Sequence, residues 1–320
     1  MRIVVSPYHL TTREPPAMAA LLLGDEVLTL MPAPADGADR STVTEALGRV
    51  PGYLDMMQSW RWSEDLWRAG VVVGASDGLD AADDVREAYR RIASGDDFAP
   101  LRAFMHTDLF ENDDQYLRAV TRDIVRGGPD PAVSVPLAAG LDRFAARHGL
   151  IVARASAQSV AQRAEESHAT KIVAFIAPVL MQAGSTGLAS AREALADTLI
   201  TLRDAIDDVA VHATSLNGNG RDHAGLRDAA RRYAEAFDAA RADFDEPEDE
   251  VRLVDGLVSI TLVSMPIDVV LRASVHAARA VLGGRERTSS APTTLPVLYD
   301  AQDAMPVVSM IVRPVGQRTS

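Results

Sequence analysis

The sequence predicts an α+β fold that is predominantly α-helical, with a small sheet built from strands near the two ends of the chain and a large helical body between them. Three observations lead there. Short β-branched runs lie at residues 2–5 and 27–31 and again at 295–299 and 306–312. The intervening chain carries successive apolar periodicities close to 3.6 residues. Two matched heptad seams between residues 186 and 245 predict a long antiparallel helical hairpin.

The opening reads β-α-β. RIVV at 2–5 is a short buried strand, Thr11 or Thr12 caps a helix that tolerates Pro15 and Pro16 in its first turn, and VLTLM at 27–31 is a second strand after Gly24. The Pro- and Gly-containing stretch 32–37 is a loop. Short helices follow at Thr42–Val50, Gly52–Trp60, Ser63–Ala69, Ala81–Ala93 and Asp113–Arg126. Residues 127–136 read as a turn-rich connector, leading to a helix that Gly149 closes after His148. LIVAR at 150–154 is a strand, and Ser156 or Ser159 then caps a helix running toward Ile176.

In the hairpin, Leu195, Leu199, Leu202, Ile206, Val209, Ala213 and Leu216 alternate steps of 4 and 3, with Ser190 and Glu193 as a capping box at the start. After Asn217–Gly220 the same stepping returns in Leu226, Ala230, Tyr233, Phe237, Ala240 and Phe244. The run of acids from Asp243 to Glu250, around Pro247, reads as a solvated hinge. Val251–Leu282 is an apolar block that admits either a buried helix or a strand at Leu257–Val263 followed by a helix. Residues 283–294 are a linker, and the closing strands are expected to pair with the N-terminal ones. The chain thus divides into residues 1–155, 156–285 and 286–320, or forms one single domain.

Composition narrows the function. The 320 residues carry 45 acidic against 32 basic side chains, a net charge of −13, which repels nucleic acid and anionic lipid. There is no Cys, so disulfides and thiolate chemistry are absent. The opening residues are too short an apolar run for a signal peptide, and the longest apolar stretches fall short of the roughly 20 residues of a membrane span. The expectation is a cytoplasmic protein that binds neither nucleic acid nor membrane.

Four groupings could carry chemistry. Tyr8, His9, Arg13 and Glu14 follow the first strand, together with Ser6, where α/β sheets bind ligands and where helix N-terminal amides favour anions. Trp60, Trp62 and Trp67, all the tryptophans of the chain, cluster with Tyr53 and Met56–Met57 and suit a core anchor or a pocket wall. Glu165 and His168 have the Glu-x-x-His spacing of carboxylate-bridged metal sites, without the second copy such a site needs. Asp204, Asp208 and His212 share a helix face, but that face points away from the apolar seam and reads as solvated. No Gly-rich phosphate loop or nucleophile elbow occurs, so no cofactor or reaction is indicated.

The strongest pattern is structural. The first expectation is therefore a protein-binding or assembly role, as oligomer or scaffold, with the hairpin contacting a protein partner or a second copy. The alternative is an enzyme or small-molecule binder using Tyr8, His9, Arg13 and Glu14, with Trp60 and Trp62. A second alternative is a His/carboxylate metal protein centred on Glu165 and His168.

Overall fold

Arg2–Val5 (β1), Glu26–Thr29 (β2) and Val72–Gly74 (β3) are short aliphatic runs, largely buried on both faces, as parallel strands covered on each side must be. The computed structural model of the chain describes residues 1–30, 48, 50–74, 81–94, 113–126, 130–155, 170–214, 223–244, 255–267 and 306–317. Ile151–Ala155 (β4) pairs with β1 on the side away from β2, and Pro306–Gln317 (β7) pairs with β4; these five strands run parallel. Asp255–Pro266 (β6) is antiparallel to β7, and Thr170–Leu180 (β5) is antiparallel to β6. The result is a seven-stranded mixed sheet in the order β3-β2-β1-β4-β7-β6-β5. The chain steps outward from β1 to β2 to β3, then returns past β1 to lay down β4. The direction of strand succession therefore reverses between β1 and β4, and the loops leaving their carboxyl ends diverge there.

Helices cover both faces. Pro15–Leu23 (α2) follows the short helix Pro7–Thr11 (α1) and is apolar all round, with every residue from Pro16 to Leu23 buried, the signature of a helix enclosed by its own protein. It lies over the face that carries Ile3 and Val27, which both approach Gly24 at its end. Pro131–His148 (α7) covers the opposite face. There Arg154 of β4 pairs with the fully buried Asp142 of α7 and donates from Nε to Ser309 Oγ of β7 at 2.9 Å. Burial pushes the Asp142 carboxyl upward, against the pull of Arg154. Between α2 and α7 in sequence come Tyr53–Trp60 (α3), Glu64–Arg68 (α4), Ala81–Ser94 (α5) and Asp113–Arg126 (α6). Helices α5 and α7 pack so closely that a Cβ on Gly140 would stand 2.5 Å from the Val85 backbone. Beside that contact, buried Asp84 receives Arg143 at 3.2 Å and Arg147 at 2.6 Å.

The enclosed end of α2 needs special provision. The last carbonyls of a helix have no intrahelical partner, and here water does not reach them. Arg192, from Ser185–Ala194 (α8), donates Nη1 to the Leu21 and Gly24 carbonyls, both at 2.6 Å. Arg203, from Ala196–Thr214 (α9), donates Nε to Leu23 O at 2.6 Å and pairs with Asp25 at 2.7 Å. Burial lowers both guanidiniums from their usual range, Arg192 to about 10.

The fold class expected from sequence needs correction. The sheet is large and mixed rather than small and terminal, and the stretch 186–245 does not form a long antiparallel hairpin. It is broken at Leu195 into α8 and α9, followed by Ala224–Ala240 (α10), and Ser190 falls inside α8 instead of capping a helix. The seam residues Leu199, Leu202, Ile206, Leu226, Tyr233 and Phe237 are buried as the periodicity requires, but α9 packs on β6 and β7 and α10 packs on β5. The seams cover a sheet instead of closing only on each other. Tyr233 also donates its hydroxyl to Pro178 O of β5 at 2.9 Å.

Residues 170–176, read as the end of a helix, belong to strand β5. The connector read at 127–136 is in part the start of α7, with Asp130 as N-cap accepting from Ala132 N and Pro131 in the first turn. The 306–312 strand joins the sheet beside β4, not beside β1 or β2. The expected helix at 42–50 falls largely outside the described residues, the expected strand at 295–299 and the linker lie wholly outside them, and so do residues 245–250 of the hinge read at 243–250. Among the described residues no helix is long and apolar enough to cross a membrane.

Two substitutions test this packing. Gly140→Ala forces a backbone clash with Val85 and should lower stability by about 1–3 kcal/mol, read as a drop of the thermal midpoint; Gly225→Ala, whose Cβ would meet nothing within 4 Å in the first turn of α10, should leave it unchanged or raise it. Arg192→Met should cost about 1–3 kcal/mol by removing the side-chain donor of the enclosed Leu21 carbonyl and one of the two at Gly24, measured by urea denaturation.

Candidate functional site

The chain leaves β1 at its carboxyl end through extended Ser6, enters the single helical turn α1 and reaches α2 after only Thr12, Arg13 and Glu14. Pro7 sets the start of the turn. At its end Thr11 donates its hydroxyl to Pro7 O at 2.8 Å and accepts the indole N–H of Trp60 at 2.8 Å. Thr11 and Thr12 thus finish α1, while the N-cap of α2 is Glu14, a correction to the expected threonine cap.

Arg13 has φ 53°, and no other non-glycine among the described residues has a positive φ. That left-handed conformation costs an L-residue roughly 1–2 kcal/mol. The strained backbone aims the guanidinium over Trp62, 4.6 Å from the ring centroid, within cation–π range. Trp62 itself offers a buried Nε1–H that meets no acceptor. Trp60 and Trp67 stack at 5.8 Å behind it, and Trp60 is almost wholly buried. Trp60 therefore anchors the core, one of the two readings made from sequence, and Trp62 lies under the Arg13 guanidinium.

His9 Nδ1 lies 2.7 Å from Glu14 Oε2, although without the alignment of a hydrogen bond. The imidazole beside it holds the Glu14 carboxyl below its usual range against the opposing effect of burial, helped by the Thr12 hydroxyl at 3.0 Å. The two side chains are close enough to form an ion pair when the imidazole is protonated. Tyr8 donates its hydroxyl to Asp123 Oδ2 of α6 at 3.1 Å. Asp123 is buried and also accepts from Asp130 N at 2.9 Å. Burial raises its carboxyl above the ordinary range, while the Asp130 N–H, the Tyr8 hydroxyl and Arg122 oppose that rise.

Of the six residues singled out as ligand candidates, Tyr8, His9, Arg13 and Glu14 share the loop, Trp60 reaches it through Thr11 and Trp62 through Arg13. Their contacts bring in Thr11 and Asp123, with Arg122 beside Asp123. Thr29 ends β2, one step past the Val4–Leu28 pairing, with a fully buried hydroxyl that has no partner. Arg122 likewise has a buried Nε–H without an acceptor. Asp123 carries a signal that sequence reading missed: it sits on the buried stripe of α6 with Ala119 and Val120, where a carboxylate needs a reason.

One expectation is overturned. Helix α2 cannot offer a pair of N-terminal amides to an anion, because Pro15 and Pro16 occupy its first positions and have no N–H. Glu165 and His168 lie outside the described residues, and among the described residues no group of three His, Asp or Glu could hold a metal ion. Asp204 and Asp208 are exposed, as the solvated-face reading expects, while the side chain of His212 lies outside the described set.

No protein-family model matches the chain, and neither a curated protein nor a solved structure is similar to it.

The Glu14 shift has a definite sign. Its folded value is depressed, so the stabilisation is present above the ordinary carboxyl value of 4.5 and is lost as pH falls through the lower folded value. A carboxyl-detected NMR titration should place Glu14 below 4.5, and His9→Ala should move it back up.

Proposed function

We propose that this chain is a small-molecule binding protein whose site is the loop after β1, formed by Tyr8, His9, Arg13 and Glu14 with Trp62 as one wall. The observation that carries the reading is Arg13: a non-glycine held in left-handed backbone, at the place where the strand succession reverses, with its side chain laid on an indole. Local strain of this kind persists only where the surroundings over-determine it, and it concentrates at functional sites. Buried N–H groups on Trp62 and Arg122 favour a ligand with hydrogen-bond acceptors. The His9–Glu14 pair supplies a group able to exchange a proton with that ligand. An assembly role through residues 186–245 would need the apolar seams, and the buried seam side chains are used within the fold.

The test is a thermal-shift screen against nucleotides, sugar phosphates and carboxylic acids. A ligand of the folded state should raise the melting temperature by several degrees in a concentration-dependent way. Arg13→Gly removes the backbone strain, so its unliganded midpoint should stay near that of the wild type, and the ligand-induced rise should vanish. His9→Ala should also abolish or reduce the rise. Retention of the full rise in both variants would place the site elsewhere.

A further inference from the structure

At the opposite edge of the sheet, where β1, β4 and β7 begin, a cleft of about 440 Å³ opens between the end of α7 and the last turns of α9. Its inner surface is aliphatic: Leu150, Ile151 and Val308 form the floor, and Ala145, Ala146 and Ala210 the walls. The volume exists because those helix positions carry Ala. On the rim Val211 stands 66% exposed, an apolar side chain at the mouth.

The charged groups on the lining are already engaged. The Met1 amine is 2.5 Å from Asp25 and 2.9 Å from Asp207. Arg2 grips Glu26 with two parallel contacts of 3.0 and 3.1 Å. The end of α7 is closed by its own backbone: Gly149, at φ 65°, turns the chain so that Leu150 N donates to Ala145 O at 2.8 Å. The His148 ring lies against Phe144, 4.6 Å between centroids. Apart from exposed His148 these charges have partners that a charged ligand would have to displace, whereas an apolar ligand needs only to expel water from aliphatic walls.

We propose that this cleft is a second binding site, separate from the loop after β1, and that it takes a small uncharged apolar molecule. Its size lies within the roughly 300–1,000 Å³ of small-molecule pockets.

The test uses N-phenyl-1-naphthylamine, an uncharged fluorophore that brightens in apolar surroundings. It should bind saturably at one per chain, and its sulfonated analogue 1-anilinonaphthalene-8-sulfonate should bind more weakly. Ala146→Leu and Ala210→Leu each fill the cleft from a different helix and should weaken binding at least tenfold. Circular dichroism melts of both identify a variant that has lost the fold, and either one alone suffices. Arg13→Gly and Trp62→Phe should leave binding unchanged, which separates this site from the loop. Unsaturable binding, equal affinity for the sulfonated analogue, undiminished binding in a folded filled variant, or loss in Arg13→Gly would each overturn the proposal.

Discussion

The structure turns on a helix whose carboxyl end is shut away from water. Helix α2 is apolar on every side, so it can sit only between the sheet and an outer layer, and that placement strands its final carbonyls. Arg192 and Arg203 resolve the conflict from two different helices. Because α8 and α9 must deliver those guanidiniums to one spot, the outer layer is registered on the inner one. Asp25 extends the arrangement by taking Arg203 as well as the Met1 amine. Apolar burial alone would let the layers slide; directional donors fix their positions.

The same helix connects the two edges of the sheet. Its far end, at Glu14 and Pro15, is the last part of the loop after β1. Tyr8 is tied to α6 through Asp123, Thr11 to α3 through Trp60, and Arg13 to the tryptophan cluster. A loop of nine residues is therefore held from several directions. Such bracing supports the unfavourable backbone at Arg13, and it would preorganise His9 and Glu14 for a ligand.

Much of this was legible in the sequence. Strands at 2–5, 26–29, 151–155 and 306–312 and helices at 53–60, 81–94 and 113–126 declare themselves through β-branched runs or one-sided periodicity. Strand β5 does not, for a physical reason: Val173, Phe175, Ala177 and Val179 point inward, but their alternating neighbours Ala174 and Ile176 are apolar too, so the period of two leaves no trace in hydrophobicity. Missing β5 made the sheet look small, and the seams of α9 and α10 then had no partner except each other. The ligand candidates on the loop were legible because they are adjacent in sequence. Asp123 was hidden by sequence distance, since nothing local links it to Tyr8, 115 positions away.

Strand β5 is also the outermost strand of the sheet among the described residues, eleven residues long and apolar. Such an edge would ordinarily be a template for runaway polymerisation. Pro178 interrupts it: the residue has no N–H to give, and Tyr233 already occupies its carbonyl. A foreign strand arriving there finds the ladder missing a rung near its carboxyl end. Pro178 is thus a guard against amyloid-like growth along an edge rich in Val and Ile.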